Sequence, residues 1–376
     1  MNPRVTQSDI ARLAGVHRTT VSLALRNHPS IPVPTRQRIQ SLAENLSYRP
    51  DPGLSALMAY RNSAKLRKIT STIGYITNWT TRWGWRDVPA HGEFYSGAAR
   101  RAEQLGYRTE HFWFGDYAGH PERLAQVLHA RGIRGLILAS HAISSPAICG
   151  LNWNDLSVVK IDTAPAELPF DYVTNDQRRI LQLIMRRTLA LGYRRVGVVL
   201  PRRWDIVSEL AWSAGLFAIQ ARLDPAARVP GLFYDTSVTA NSAAEMRVPV
   251  ESFGHWLEEH QPDAIIGYGA YVLPSLRALG RQVPSSIGFA DVLLEHGIVG
   301  PAGMRQNSAR VGEVATERLA QLLTHNITGA PAVPVATLVE GTWCHGDTLP
   351  ARAVSFDWLD DAAVQSPIFP PDAPLA

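Results

Sequence analysis

Residues 5–25 read VTQSDIARLAGVHRTTVSLAL, and two short helical patterns meet there at Gly15. Thr6 is placed to cap the first helix, and Asp9, three residues later, completes a variant of the capping box. Gly15 takes the turn, where a positive φ costs a glycine little. This spacing predicts a helix-turn-helix unit, whose second helix is suited to the major groove of DNA.

A small apolar core follows from the spacing of the nonpolar residues. The predicted buried positions are Ile10, Leu13, Ala14, Val16, Val21, Ala24 and Leu25. A third helix is expected over about residues 34–46, and its inward positions are Ile39, Leu42, Ala43 and Leu46. The outward positions of the second helix are then Arg18, Thr19, Ser22, Leu23 and Arg26.

The charge is divided unevenly along the chain. Residues 1–68 carry eleven Lys and Arg against three Asp and Glu, whereas the remaining residues carry 26 basic and 30 acidic side chains. A segment with a net charge of +8 beside an acidic body is the pattern of a protein that contacts nucleic-acid phosphates. The alternative is a basic helical bundle that binds another protein or an acidic membrane.

Five short stretches, in register, resemble the headpiece of the lactose/galactose repressor (LacI) family. They are DIARLAGV at 9–16, TVS at 20–22, PSI at 29–31, TR at 35–36 and LSYRP at 46–50. The resemblance implies a dimeric, ligand-responsive transcription regulator that binds a near-palindromic DNA operator. A repressor is expected.

The family pattern assigns roles to individual residues of the headpiece. It places Arg18, Thr19 and Leu23 at the three base-reading positions of the second helix. It assigns phosphate contacts to Thr6, His17, Thr20, Ser22, Arg26 and Tyr48. Leu23 is a departure, because many members have an arginine there, and a leucine can only pack against a thymine methyl group. Arg18 is the residue that would restore a guanine contact.

Two helix caps also depart from the family. His17 replaces the usual serine cap of the second helix, a cap worth roughly 1 kcal/mol, and Pro32 stands where a cap residue usually begins the third helix. Asp51-Pro52 coincides with the family's hinge helix, in which Leu57 takes the position of a minor-groove wedge. Gly53 weakens that helix, and the alternative is a plain linker.

Composition places the rest of the chain among globular proteins. Of its 376 residues, 45% are hydrophobic and 19% charged. No apolar run is long enough for a membrane span, and the N-terminus lacks the apolar region of a signal peptide. Cys149 and Cys344 have no metal-ligand spacing, so a reduced, cytoplasmic protein is expected. The motifs of hydrolases, zinc enzymes and phosphate-binding loops are missing, and no enzymatic activity, metal or cofactor is predicted.

Strands and helices alternate from about residue 71, which indicates an α/β fold of parallel sheets. Helices are expected over 94–105, 180–191, 271–279 and 308–323. Two similar stretches, RRAEQLGY at 100–107 and RRTLALGY at 186–193, both end a helix at glycine and suggest two related halves. Such lobes resemble the periplasmic sugar-binding proteins, whose fold the family uses as a sensor.

The predicted domains follow this order. They are the headpiece over 1–50, the hinge helix and linker over 51–70, the two-lobed ligand-binding and dimerisation domain over 71–365, and an extended tail over 366–376. Lobe 1 is expected over about 71–173 and 302–330, and lobe 2 over about 174–301 and 331–365.

The ligand-contacting residues of the second lobe depart from the family pattern. Trp212 stands in place of an arginine, Gly269-Ala270 replaces an Asn-Asp pair, and Ala290 replaces an aspartate that often holds a sugar hydroxyl. Asp176 and Asp291 remain as effector candidates beside Trp212. Asp176 begins a helix, so a purely structural cap is the alternative.

Aromatic side chains crowd the first lobe, several of them in loops that follow strands, where α/β sheets bind ligands. The effector candidates there are Trp79, Trp83, Trp85, Tyr95 and Trp113. Trp79, Trp83 and Trp85 lie among Thr, Arg and Gly and look least like core residues. The alternative is that about half of these tryptophans belong to the core or to a dimer interface. His91 and Glu93 could add polar contacts.

The sequence thus predicts a homodimeric DNA-binding regulator with a small, carbohydrate-like effector in the cleft between two lobes. The alternative is a constitutive regulator whose sensor has lost small-molecule binding, since three customary polar contacts are replaced. A secreted solute-binding protein with the same lobes is disfavoured by the headpiece.

Overall fold

The computed structural model describes residues 5–46, 48, 71–117, 120–141, 148, 150–237, 243–294 and 300–352. The predicted hinge over 51–70, with Leu57, and the predicted tail over 366–376 lie outside the described residues. The chain forms two compact units, residues 1–174 with 308–337 and residues 175–307 with 338–376. The chain crosses from one unit to the other three times, and the sequence analysis placed the second and third crossings several residues earlier than the structure does.

The N-terminal segment folds into three helices, α1 (Gln7–Ala14), α2 (Arg18–Leu25) and α3 (Val33–Asn45). The predicted capping box is confirmed, because the Asp9 amide donates to Thr6 Oγ1 at 3.3 Å and the Thr6 amide donates to Asp9 Oδ2 at 3.0 Å. Gly15 has a φ of 63°, as the turn requires. The helices share one core of Ile10, Ala11, Ala14, Val21, Ala24, Ile31, Ile39 and Ala43.

The buried face of α1 differs from the predicted one. Leu13 is 59% exposed, whereas Ala11 is buried beside Ile10 and Ala14. Small side chains at Ala11 and Ala14 face the other helices, so the face that packs is rotated away from Leu13. Leu25, predicted as buried, is only half-buried. Helical spacing alone did not decide between these faces, because both contain Ile10.

The first unit contains a six-stranded sheet in the order β2-β1-β3-β4-β5-β11. Its strands are β1 (Ser71–Asn78), β2 (Tyr107–Trp113), β3 (Gly135–His141), β4 (Ser157–Ile161), β5 (Tyr172–Asn175) and β11 (Ala336–Val339). Its helices are α4 (Pro89–Leu105), α5 (Pro121–Ala130) and α11 (Ser308–His325). The strands from β1 to β5 pair in parallel. Helix α4 begins five residues before the predicted Phe94, because a proline is well suited to the first turn of a helix.

The second unit repeats this order as β7-β6-β8-β9-β10-β12. Its strands are β6 (Val196–Pro201), β7 (Leu232–Tyr234), β8 (Ala264–Gly267), β9 (Gly288–Asp291), β10 (Ala302–Arg305) and β12 (Thr342–Cys344). Its helices are α6 (Gln177–Ala190), α7 (Arg202–Val207), α8 (Ala211–Gln220), α9 (Val250–His260) and α10 (Gly269–Ala278). The predicted α/β fold of two related halves is confirmed, and only β12 pairs antiparallel among the described pairings of this sheet.

Helix α11 completes the first unit, although more than two hundred residues separate it from α4. A Cβ atom added at Gly97 of α4 would lie 1.9 Å from the Ala309 carbonyl oxygen, and one at Gly312 would lie 2.0 Å from the Phe94 carbonyl oxygen. The two helices therefore touch backbone to backbone at these glycines. Arg318 of α11 also donates through Nε and Nη2 to Asp171 Oδ2 at 2.8 and 2.7 Å, just before β5.

This contact generates a stability prediction. We expect Gly97→Ala to lower the free energy of unfolding by about 3 kcal/mol, because the added methyl group would collide with rigid backbone. Gly92→Ala, in the same helix, is the matched control, since its Cβ would meet only the Arg86 carbonyl oxygen at 4.0 Å. The control should be as stable as the parent or more so by up to about 1 kcal/mol. Urea unfolding measures both, and equal stability of the two variants would contradict the packing.

Candidate nucleic-acid interface and sensor site

The exposed face of α2 is the candidate nucleic-acid interface. Arg18 and Thr19 are exposed at its first turn, and Ser22 and Thr20 are half-exposed. Arg26 folds back along the helix and donates to the Ser22 carbonyl at 3.1 Å and to Ser22 Oγ at 3.0 Å. Two of the predicted phosphate-contacting side chains are therefore already joined to each other.

The Leu23 side chain lies between the core and the surface of the headpiece. It is half-buried and packs against the three-helix core, as Tyr48 does. A leucine in this position presents only part of its side chain outward. Its predicted base contact is therefore limited to a small apolar area.

Helix α2 keeps a side-chain cap although His17 replaces the usual serine. His17 is the N-cap residue, and its Nδ1 accepts the backbone amide of Thr19 at 3.3 Å. An imidazole nitrogen thus replaces the hydroxyl oxygen of serine as the acceptor for a free helix amide. Helix α3 differs, because Pro32 caps it without any side-chain hydrogen bond, as the sequence indicated.

The candidate sensor site lies at the carboxyl edge of the first unit's sheet. In the sheet, the connection after β1 leads to β2 on one side, whereas the connection after the neighbouring strand β3 leads to β4 on the other side. Ligands of α/β sheets bind at such a switch point. Two residues at this edge have left-handed backbone without being glycine: Ser140 with a φ of 57° and Asp162 with a φ of 69°. Strained backbone of this kind is concentrated at functional sites.

Histidines line this edge in uncharged form. His91, in the first turn of α4, lies 3.0 Å from Ser140 Oγ through Nδ1, and its ring centroid is 5.0 Å from that of Trp79. Burial lowers the pKa of His91 to about 4 and that of His141 to about 3. Neither ring nitrogen of His141 makes a hydrogen bond of normal geometry within the described part of the chain.

A tyrosine and a carboxyl group complete the edge. Tyr75 is fully buried in β1, and burial raises the pKa of its hydroxyl far above the usual range. Ser140 and Asp162 are close enough to influence that hydroxyl. Burial also raises the pKa of Asp162, which accepts the Thr174 hydroxyl at 2.7 Å. Lys160 is turned toward backbone, and its Nζ donates to the carbonyl oxygens of Thr163 and Pro165 at 2.7 and 2.9 Å.

The predicted aromatic residues of the first unit form one cluster. Tyr95 meets Tyr75 edge to face at 5.0 Å, and Trp113 donates through Nε1 to the Trp79 carbonyl at 2.9 Å. Trp83 is 45% exposed, and the Arg86 guanidinium lies 4.1 Å from its ring centroid. The sequence predicted that these residues are effector contacts, and that role stays a prediction.

Trp85 is not a surface residue, which corrects the prediction from its polar neighbours. Its side chain is fully buried, and Nε1 donates to the Arg82 carbonyl at 3.0 Å. A short 3-10 turn over Gly84–Asp87 directs the ring into the unit. Its ring centroid lies 5.4 Å from Tyr95 and 5.6 Å from His111.

The effector residues predicted in the second unit have structural contacts within that unit. Asp176 caps α6, because Oδ1 accepts the Arg179 amide at 2.9 Å. Asp291 accepts the Gly269 amide at the start of α10 at 3.0 Å and the Leu293 amide at 2.9 Å. Trp212 is 3% exposed within α8. Sequence reasoning did not single out Ser140, His141 and Asp162, whose only signal was their position at the end of a buried strand or directly after one.

The described residues contain no group of three His, Cys, Asp or Glu side chains placed to hold a metal ion, and no helix among them is long and apolar enough to cross a membrane.

The buried histidines make stability depend on pH. Histidine in an unfolded chain titrates near about pH 6.5, so between that pH and the lowered pKa values the unfolded state binds more protons. The free energy of unfolding should therefore fall on acidification, on the order of 2 kcal/mol per buried histidine between about pH 7 and 5. The raised pKa of Asp162 acts in the opposite sense, so variants are compared rather than total slopes.

Denaturant unfolding at the two pH values measures this dependence. His91→Asn should lose less stability on acidification than the parent chain. His129→Asn, at an exposed position of α5, is the control and should keep the parental dependence. An unchanged dependence in His91→Asn would show that His91 is not held neutral by burial.

Comparisons with known proteins agree with this architecture. Residues 6–51 match the family model for bacterial regulatory proteins of the lacI family. The chain is 23% identical over 326 residues to the HTH-type transcriptional regulator KdgR of Bacillus subtilis, a match covering 84% of this chain and 90% of that protein. The probable repressor ExuR of Bacillus subtilis is 49% identical over 53 residues, which are 14% of this chain and 16% of that protein.

Solved structures share the fold. A CelR–cellobiose complex matches with a TM-score of 0.54 at 18% identity, over 92% of this chain and all of that one. A lac repressor dimer bound to operator and an anti-inducer matches with a TM-score of 0.52 at 17% identity, over 93% of this chain and all of that one. Residues 6–51 therefore match the lacI family of bacterial regulatory proteins, and most of the chain is similar in sequence to an HTH-type transcriptional regulator and in fold to solved structures of such regulators.

Proposed function

We propose that this protein is a lacI-family transcription repressor that binds a near-palindromic DNA operator as a homodimer and responds to a small neutral effector. The observation that carries the DNA-binding part is the capped, outward-facing first turn of α2 in a segment with a net charge of +8. Two such helices in a dimer would enter successive major grooves about one helical turn apart. Phosphate contacts by Thr6, Thr20, Ser22, Arg26 and Tyr48 would set the orientation.

Arg18 is the proposed guanine reader. It is exposed at the first turn of α2, where recognition helices contact base edges. A guanidinium group can donate two hydrogen bonds to guanine, worth about 1–3 kcal/mol of discrimination against another base. Leu23, half-buried, would contribute at most a contact with a thymine methyl group.

Arg18→Ala should weaken operator binding by about 10- to 100-fold and relax the preference at one base position. The operator is first selected from random duplexes, and affinities are measured by fluorescence anisotropy on the operator, its single-base variants and unrelated DNA. Arg12→Ala is the matched control, because Arg12 is an exposed arginine on α1 that pairs with Asp9 at 3.5 Å. Equal losses on operator and unrelated DNA for Arg18→Ala would argue against base reading.

The effector part of the proposal rests on the carboxyl edge of the first unit. His91, His141 and Tyr75 are held uncharged by burial, and the raised pKa of Asp162 also favours its neutral form. Neutral donors and acceptors suit hydroxyl groups, and buried charges would be needed to balance an anionic ligand. The rings of Trp79 and Tyr95 supply apolar surface beside them. A neutral carbohydrate combines both features, and cellobiose is bound by the similar CelR structure.

One observation favours a second candidate, a constitutive regulator without an effector. The carboxylates of Asp176 and Asp291 already accept backbone amides at helix starts, and Trp212 is buried. The second unit thus uses its predicted effector residues for its own structure. A thermal-shift screen of neutral mono- and disaccharides, sugar acids and nucleobases separates the two candidates.

We expect at least one neutral sugar to raise the melting temperature, and Tyr75→Phe to weaken its binding about tenfold through loss of one buried hydrogen bond. Operator affinity without ligand should stay unchanged. Tyr234→Phe, which removes a buried hydroxyl bonded to the Met246 carbonyl in the second unit, is the control. No shift with any compound would support the constitutive candidate, and stabilisation by sugar acids alone would contradict a neutral site.

A further inference from the structure

The imidazole of His17 caps the start of α2 and also contacts the Thr19 hydroxyl. Its Nδ1 lies 3.3 Å from the Thr19 amide, which it accepts, and 3.0 Å from Thr19 Oγ1. A nitrogen that accepts an N–H carries no proton of its own, so the ring proton must be on Nε2. The Thr19 hydroxyl then has one possible role toward Nδ1, which is to donate its hydrogen.

This hydrogen bond fixes what Thr19 offers to DNA. A free threonine hydroxyl can donate or accept, and it can therefore meet any base. Once its hydrogen points to His17, the oxygen keeps only acceptor capacity, beside the methyl group. In the major groove an acceptor matches the amino groups of cytosine and adenine, and it opposes the acceptor edge of guanine.

We propose that His17 is a specificity-determining positioning residue, which makes Thr19 an acceptor and so directs it to a cytosine or adenine amino group. The inference rests on the proposed base-reading role of Thr19. The same tautomer leaves Nε2–H as a donor for a phosphate oxygen, so the phosphate contact predicted for His17 can accompany this role.

Ser22, one turn further along α2, has the opposite arrangement. Its Oγ accepts from Arg26 Nη2 at 3.0 Å, so its own hydroxyl hydrogen stays available for donation. In the same helix, the Thr19 hydroxyl therefore donates its hydrogen to a ring nitrogen, whereas the Ser22 oxygen accepts a hydrogen from a guanidinium nitrogen.

The test uses the full-length protein and the selected operator with all four base pairs at each position. Thr19→Val first identifies the position that Thr19 reads, since it replaces the hydroxyl by a methyl group of similar size. At that position the parent should prefer adenine or cytosine over guanine or thymine on the strand that Thr19 faces. His17→Ser keeps a side chain that caps helices but removes the imidazole acceptor, and it should reduce that preference about fivefold.

A double-mutant cycle separates positioning from folding. In the Thr19→Val background, His17→Ser should have no further effect on base preference, and preferences at the Arg18 position should stay as in the parent. Loss of affinity that is uniform over all positions, or an unchanged preference in His17→Ser, would overturn the inference. If Thr19→Val relaxes no position, the proposed base reading by Thr19 fails instead, which is a distinguishable result.

Discussion

The backbone contact between α4 and α11 is the constraint on which the first unit depends. Gly97 and Gly312 let two helices from distant parts of the chain approach until backbone meets backbone. Helix α4 carries His91 in its first turn, and α11 carries Arg318, which binds Asp171 just before β5. The same contact therefore places a histidine beside Ser140 and secures the far side of the sheet. A side chain at either glycine would force the two helices apart and would move both His91 and Arg318.

Electrostatics at the carboxyl edge follow from this packing. The groups that line it are titratable, yet burial favours the uncharged form of each histidine and of Asp162, while Lys160 is bound by backbone carbonyls. The edge is therefore lined by polar groups whose uncharged forms are favoured by burial, beside the Lys160 ammonium group that backbone oxygens hold. Such a surface favours ligands that exchange hydroxyl hydrogen bonds over ligands that require a counter-ion. In the second unit, the predicted effector residues Asp176 and Asp291 accept backbone amides at helix starts.

The headpiece shows how a substitution in a family pattern can be compensated by different chemistry. A histidine in place of serine still caps α2, because an imidazole nitrogen accepts an amide as an oxygen does. The longer, planar ring also reaches the hydroxyl of Thr19, the residue proposed to read a base. Arg26 and Ser22 form a second such pair on the same helix. On the proposed function, specificity in this helix depends on contacts within the protein as well as on the residues that meet DNA.

The sequence by itself determined the features that depend on near neighbours along the chain. The capping box at Thr6 and Asp9, the turn at Gly15, the alternation of strands and helices, and the repeated glycine ends of two helices all follow from local spacing. Tertiary structure decided which apolar face of α1 is buried, that Trp85 is core, and that His91, Ser140 and Asp162 share one edge. Burial and the pKa shifts it causes arise from atoms far apart in sequence, and no local pattern encodes them.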